Sequence, residues 1–373
     1  MTDSSLDSLI FNKRVLFVNG IRSDIPSGGN TATETLLRYL TMRCTVEVFS
    51  ISPDRDLESK IVFAIKSFPA GLLVAFYRFW RRRWLEFFAR FSPWLLVSML
   101  FKYFFYKPDV LIFNHHCTFL FSYFFLSKKI LVWHDVPSTK VSKGGDRHLL
   151  DRYLCTHLEH SFLERATQSW ILSFTEQKFL RRFYAHKSCI FPALDSSPNL
   201  PRKNIERNSW LLVGNWSRIE NCSGAIEFFL AYVQLVGAVN DDLRGKFTIA
   251  GSGASNFLKN LLHLNSDLHI LDINALNHFD NLSQFSQLAL LAPIKDGAGI
   301  KLKTLEAWSC NIPVIGTAQA FSGLPVGLWK TGGIKLETTY DIAKFCIDLK
   351  NAEGKVAKLN PLAAYISYRA QFC

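Results

Sequence analysis

Residues 293–317, Pro-Ile-Lys-Asp-Gly-Ala-Gly-Ile-Lys-Leu-Lys-Thr-Leu-Glu-Ala-Trp-Ser-Cys-Asn-Ile-Pro-Val-Ile-Gly-Thr, decide how this chain folds. The apolar run Leu288 to Ile294 leads into a glycine-bracketed loop, Asp296-Gly297-Ala298-Gly299. The spacing then predicts a helix from Ile300 to about Cys310, which Asn311 and Pro313 stop before a second apolar run. Strand, tight loop, helix and strand in so short a span is one unit of an α/β fold. Glycines let backbone approach a ligand, and the N–H groups that open a helix stabilise an anion. Lys301 and Lys303 fall in the expected first turn, where positive charge opposes the helix dipole and an anion relieves the conflict. Gly299, Lys303 and Glu306, at i, i+4 and i+7, share one face of that helix. Bare backbone and a cation suit a phosphate; the carboxylate suits a sugar hydroxyl. The plainer reading of the same residues is a solvated surface helix with a Glu306–Lys303 pair worth about 0.2–0.5 kcal/mol.

Working outward, the same alternation runs through the chain. Arg14 to Gly20 reads as a buried strand, followed by Ser27-Gly28-Gly29, a helix from about Asn30 to Met42 and a strand from Thr45 to Ile51. Strands are expected at Asp109 to Asn114, Lys129 to Asp135, Trp170 to Phe174 and Ser188 to Pro192, with a helix over about Asp146 to Ala166. The polar stretch 194–208, with two prolines, reads as a linker. Alternation then restarts: a strand from Trp210 to Asn215, a helix from Ser223 to Val236, and a strand from Lys246 ending in the turn Ile249-Ala-Gly251-Ser-Gly253. Later strands are expected at Leu268 to Ile273, Leu288 to Ile294, Pro313 to Thr317 and Gly333 to Leu336. Continuous apolar runs between helices belong to parallel sheets covered on both faces. The expected organisation is two doubly wound domains, residues 1–200 and 205–354, with 355–373 a tail returning to the first. In such folds ligands lie at the strand C-termini.

Composition narrows the function classes. At 373 residues and 49% hydrophobic, the chain can bury two cores. Its eight cysteines show no CxxC and no clustering with His, which reads as reduced thiols in a cytosolic setting with no metal site. The N-terminus lacks a basic region followed by an apolar core, so no signal peptide is expected. No Gly-x-Gly-x-x-Gly precedes an acid at the dinucleotide spacing, which disfavours an oxidoreductase. The net charge of +12 is concentrated: Lys60 to Lys107 holds nine Lys and Arg against one acid, Glu86. That stretch is crowded with aromatics and with aliphatics such as Leu72, Leu73, Leu95 and Leu96, in runs too short to span a bilayer. Three readings fit: a membrane surface, where Lys and Arg meet anionic lipid and rings enter the interface; core helices with basic rims; or nucleic acid. The aliphatic content favours peripheral attachment to an anionic membrane surface, at its inner, cytoplasmic face, and disfavours nucleic acid.

The segment opening at Gly297 resembles the donor-binding stretch of family 4 glycosyltransferases in the variant form Gly-Ala-Gly-Ile-Lys-x-Lys-x-Leu-Glu-Ala-x-x-x-x-x-Pro-Val. Leu211-Leu-Val-Gly214-Asn215-Trp-Ser-Arg218-Ile-Glu-Asn221 is similar to the first strand and loop of that family's second domain. Ile249 to Gly253 resembles its strand-end glycine turn, and Ser27-Gly28-Gly29 the loop that approaches the donor phosphates. Ile130-Leu-Val-Trp-His134-Asp135-Val136-Pro-Ser138 resembles the strand ending in the active-site His. Ala298 stands where the common pattern has the first of two glutamates, and Arg218 and Asn221 remain where it has Lys-Gly; both changes recur together in one sub-type.

The resemblance implies a GT-B fold of two Rossmann-like domains facing across a cleft, with the nucleotide sugar in the second, the acceptor in the first and no metal or cofactor. It implies donor binding by Gly29, Gly214, Asn215, Arg218, Gly251, Gly297, Ala298, Gly299, Ile300, Lys301, Lys303 and Glu306, and catalysis by His134, Asp135 and Lys303. Cations and backbone N–H groups aimed at a departing nucleoside diphosphate are usually the largest catalytic term. With no strong general base in the family, His134 is expected to hold the sugar or the acceptor, and Asp135 to orient it or cap the next turn; His115 and His116 read as structural. The expected activity is transfer of a sugar from a UDP- or GDP-linked donor to a glycan or lipid-linked acceptor, retaining and metal-independent. The competing reading is a catalytically inactive GT-B-like scaffold in a glycan-assembly complex.

Overall fold

Two six-stranded parallel sheets organise the protein. The computed structural model describes residues 9–20, 28–51, 92–138, 149–184, 188–194, 205–237, 245–296 and 299–372. Two units separate by contact, Met1–Ala193 with Phe372–Cys373, and Leu194–Gln371.

In the first unit, β1 (Arg14–Asn19), β3 (Val110–Asn114), β4 (Lys128–Trp133) and β5 (Gln168–Ile171) are buried almost throughout, because their apolar runs are covered on both faces. With β2 (Thr45–Ser50) and β6 (Ser188–Ile190) they form the order β2-β1-β3-β4-β5-β6. Val15 pairs with Val110, and Val110 with Lys128. The described helices are α1 (Gly28–Thr41), α2 (Pro93–Tyr106), α3 (Leu149–Arg165) and α4 (Phe174–Tyr184). The order reverses between β1 and β3, so their C-terminal ends mark the switch point where an open α/β sheet takes its ligands.

The second unit carries β7 (Glu206–Val213), β8 (Lys246–Ala250), β9 (Asp272–Leu276), β10 (Gln287–Ala292), β11 (Val314–Thr317) and β12 (Gly333–Leu336) in the order β12-β11-β10-β7-β8-β9. Its switch point lies between β7 and β10. Its helices are α5 (Ile219–Val236), α6 (Ala254–Leu264), α7 (Leu302–Ser309), α8 (Trp329–Gly332), α9 (Thr339–Ile347), α10 (Leu349–Val356) and α11 (Pro361–Arg369). A core of Trp210, Phe228, Phe229, Tyr232 and Phe247 packs α5 onto the sheet. Phe372, beyond α11, belongs to the first unit, where its ring lies 6.0 Å from Phe174.

Several boundaries differ from those expected, each for a local reason. The first half of the apolar run Leu268 to Ile273 lies in a 3-10 turn, Ser266–Ile270, opened by Asn265, whose side chain accepts from the Asp267 N–H at 2.8 Å. The strand is displaced to Asp272–Leu276, a sheet edge whose half-exposed alternation lacks a long apolar run. The strand expected to end at Asp135 stops at Trp133, which leaves His134 and Asp135 on the following turn. The polar stretch expected as linker already enters β7 at Glu206. The helix expected from Ile300 begins at Leu302, with Lys301 as its extended N-cap, and ends before Asn311, whose φ of 56° is the left-handed stop.

Candidate functional site

The second unit's switch point is built largely from backbone. Gly251 ends β8 with a φ of 114°, and a Cβ there would lie 2.2 Å from the Gly214 carbonyl oxygen, so only glycine lets the two strand-end loops meet. Asn215 turns the loop after β7 by accepting from the Ser217 N–H at 3.1 Å. Arg218 is the N-cap of α5, and its exposed side chain makes no cap hydrogen bond. Beside β10, Gly299 has a φ of 70° and leads into Ile300, which Gly323 permits to pack so closely that a Cβ would sit 2.7 Å from the Ile300 Cα. Gly297 and Ala298 lie outside the described residues.

Lys303 ties the two sides together. Its ammonium donates to the Val213 carbonyl at 2.9 Å and to Asn221 Oδ1 at 3.0 Å. Asn221 Nδ2 in turn donates to the Asn215 carbonyl at 2.9 Å. Burial, and then the charge of Lys301, push the Lys303 ammonium down to about 8, with Glu306 opposing. Burial pushes the Glu306 carboxyl up, with Lys303 opposing. The Glu306 carboxylate makes no hydrogen bond among the described residues, whereas Lys303 is engaged.

The expected common stripe of Gly299, Lys303 and Glu306 is corrected by this geometry. Gly299 precedes the N-cap, so only Lys303 and Glu306 ride on the helix. Lys301 caps α7, and Lys303 reaches back under β7 as a strut. The half-exposed Lys301 and exposed Arg218 therefore stand at the N-termini of two helices that open beside β7 and β10. Helix N-termini and nearby cations make an anion-binding end.

The first unit's switch point is a side-chain network. Asn114, fully buried at the end of β3, donates from Nδ2 to Asn19 Oδ1 at 3.1 Å and to Thr33 Oγ1 at 2.9 Å. Its Oδ1 lies 2.7 Å from His134 Nε2. Burial pushes the half-buried His134 down to about 4, against the opposing charge of Asp135, so the ring is neutral. Asp135 thus acts on His134 through charge, while Asn114 holds its Nε2 edge. Two buried carboxylates fix the turn that carries them: Glu176 accepts from the Val136 N–H at 3.1 Å and Glu159 from the Ser138 N–H at 2.7 Å. Tyr184 donates to Glu159 at 2.9 Å, and burial pushes that carboxyl up to about 7. His115 adopts a φ of 95°, strained for a residue with a Cβ, and its ring stacks 5.8 Å from His134. Gly29 lies in the first turn of α1, the helix that supplies Thr33. Asn19, Thr33, Asn114, Glu159 and Glu176 were not singled out in the sequence; the one signal was an Asn ending each of two apolar strands.

Among the described residues no group of three His, Cys, Asp or Glu is placed to hold a metal ion.

No family model and no curated protein matches the sequence. Solved structures match in fold. Sucrose-phosphate synthase from Thermosynechococcus elongatus aligns with a TM-score of 0.63 at 13% identity, over 97% of this chain and 99% of its own. A glycosyltransferase from Rickettsia africae gives 0.63 at 12% identity, over 97% and 94%. Anabaena HepE, solved with UDP and glucose, gives 0.58 at 12% identity, over 96% and 99%. The fold is GT-B, with two doubly wound parallel-sheet domains.

Proposed function

We propose that the chain is a nucleotide-sugar-dependent glycosyltransferase, with the donor held at the β7–β10 end and the acceptor near His134. The observation that carries this reading is the second unit's switch point, where Arg218, Lys301 and two helix N-termini surround glycine-lined strand ends. Such an arrangement takes a pyrophosphate, and the unengaged Glu306 carboxylate accepts from sugar or ribose hydroxyls. HepE's crystallisation with UDP and glucose supports a UDP-sugar donor, with GDP-sugar the next candidate. Leaving-group charge is met in this reading by cations and amides without a metal, and a neutral His134 fits a retaining reaction in which it orients a hydroxyl. The acceptor class proposed is a glycan or lipid-linked glycan.

The lipid-linked part rests on α2. It buries Leu95 and Met99 but exposes Trp94, Val97, Phe101, Phe104 and Phe105, one stripe at helical spacing. No helix among the described residues is long and apolar enough to cross a membrane, so this stripe suits a helix lying on an anionic membrane surface at the cytoplasmic face. The basic segment 60–91 lies outside the described residues. Wild type should sediment with anionic vesicles and F104S/F105S should not; binding unchanged in the variant would remove the membrane part alone.

The inactive-scaffold reading draws on one observation, that the Lys303 ammonium is already spent on Val213 and Asn221. A thermal-shift panel of nucleotide sugars separates the two. A donor present at 100 times its Kd stabilises the folded protein by about 2.7 kcal/mol. A melting temperature that no nucleotide sugar raises would overturn the transferase reading.

A further inference from the structure

Asn114 has hydrogen-bonding capacity for a fixed set of partners. A carboxamide has two N–H donors and an oxygen that only accepts. Both donors point away from His134, one to Asn19 Oδ1 at 3.1 Å and one to Thr33 Oγ1 at 2.9 Å. The oxygen is therefore the atom 2.7 Å from His134 Nε2, and that contact is a hydrogen bond only if Nε2 carries the proton. Three elements enforce the amide's orientation: β1 through Asn19, α1 through Thr33 and β3, whose register sets Asn19 opposite Asn114. The amide is fully buried, so water does not compete for it. The other half of the constraint is the His134 turn, held from below by Glu176 at Val136 and Glu159 at Ser138.

We propose that Asn114 is a positioning residue that locks His134 as the Nε2–H tautomer and so offers its Nδ1 lone pair to a sugar hydroxyl. The choice of a hydroxyl as the group received rests on the glycosyltransferase reading; the tautomer lock does not. A neutral imidazole has one donor and one acceptor nitrogen, and the partner of one sets the role of the other. With Nε2 committed to an amide oxygen, Nδ1 accepts and cannot donate. His134 then orients a hydroxyl by taking its hydrogen bond, which leaves that oxygen's lone pairs facing away from the ring. Among the described residues, the titratable groups facing the ring include Asp135 on its own turn and His115 following β3, with His116 stacked behind His115; from β1 and α1 come the uncharged Asn19 and Thr33. The charge of Asp135 favours the protonated ring and opposes the effect of burial on His134.

The experiment is 15N-resolved NMR of the histidine rings in full-length protein, with H134Q assigning the His134 resonances. The wild type should show the Nε2–H pattern across neutral pH. N114D keeps the shape, places a carboxylate against Nε2 and should raise the His134 titration midpoint by about 1–3 units, the usual effect of an adjacent opposite charge. N114L removes the oxygen and should release the ring to a mixture of tautomers. An Nδ1–H pattern in the wild type overturns the proposal without any variant having to fold, as does an N114D titration that stays in place. A residue with a purely structural role would move neither. An Nε2–H pattern in a protein that binds no nucleotide sugar upholds the lock and removes only the transferase reading.

Discussion

At the ends of β1 and β3, uncharged side chains from β1, α1, β3 and the turn after β4 hold one another: Asn19, Thr33, Asn114 and His134. At the ends of β7 and β10 the same position in an equivalent sheet is made of close backbone approaches, Gly251 on Gly214 and Gly323 on Ile300, pinned by a single lysine. Both sheets are parallel, six-stranded and open at a switch point, so the fold does not account for the difference. In the proposed reading, the ligand chemistry does. Backbone N–H groups and cations suit a phosphate, whose charge is fixed and whose shape varies little. A neutral network suits hydroxyls, where the direction of each hydrogen bond decides recognition. The β7–β10 end is thus rigid through glycine, and the β1–β3 end through hydrogen-bonded side chains.

That contrast breaks most visibly at Gly251. Alanine at a φ of 114° is strained by about 1–3 kcal/mol, and its Cβ 2.2 Å from the Gly214 oxygen adds an overpacking cost of about 1–3 kcal/mol. G251A should therefore lower the unfolding free energy in urea by more than any side-chain deletion at the first unit's switch point. Gly354 in α10 is the control: a Cβ there meets nothing within 4 Å, and G354A should stabilise by about 0.4–1 kcal/mol. A G251A loss under about 1 kcal/mol would show that the strand-end approach is not a constraint.

The next effect belongs to Lys303. K303M strips a charged donor from Val213 and Asn221, two hydrogen bonds of a kind worth about 1.5–3 kcal/mol each, less the cost of burying an ammonium. K301A, at a half-exposed cap position, should stay within about 0.5 kcal/mol in stability. The pH dependence sharpens this. Lys303 is pushed down to about 8 in the folded protein, below its ordinary value of 10.5 when unfolded. Between those values the unfolded chain binds more protons, so wild-type stability rises with pH relative to K303M. Melting temperatures of the two proteins should diverge as pH passes 8. A constant gap would mean that Lys303 ionises as a solvated lysine and is not the strut described. Both variants are expected to weaken nucleotide binding, Lys303 more because the loops around the proposed anion site hang on it; equal affinities would remove that distinction.

How much of this could be read in advance follows from the distance over which each feature acts. The parallel sheets and the glycine loop are local: apolar runs, glycines and an Asn-x-Pro stop lie within a few residues of one another, and their order points to an α/β fold of two doubly wound halves. Cap positions were off by two residues because Gly299 takes a left-handed turn that delays the helix, which moved Gly299 off the stripe. Lys303 was identified as a cation but not as a strut, since Val213 and Asn221 are 90 and 82 residues away. The Asn19–Asn114–Thr33–His134 network was invisible for the same reason: Asn114 meets Asn19 across 95 residues, through sheet register. The first unit tests this further with T33V, which leaves an Asn114 donor without its oxygen and should cost about 1–3 kcal/mol. No loss in T33V would show the network to be loose, and the contrast between the two ends would weaken.

The smallest expected effect on stability is at Glu306, and its size carries the argument. Burial pushes this carboxyl above its usual range, so the folded state disfavours the charged form. A group raised on folding contributes fully below its unfolded value, and that contribution is lost as pH rises through the folded one. Wherever Glu306 is ionised in the folded protein, that charge is a net cost, relieved only in part by Lys303. E306Q keeps the shape, removes the charge and should melt at or slightly above the wild-type temperature. Nucleotide-sugar affinity should fall in the same protein, because an amide presents one accepting oxygen where a carboxylate presents two. A carboxylate kept in the fold at a stability cost, with no hydrogen bond among the described residues, is what a ligand-facing group looks like before its ligand arrives. A marked loss of stability in E306Q with unchanged affinity would place Glu306 in the protein's own support, and the donor end would lose its acceptor of hydroxyls.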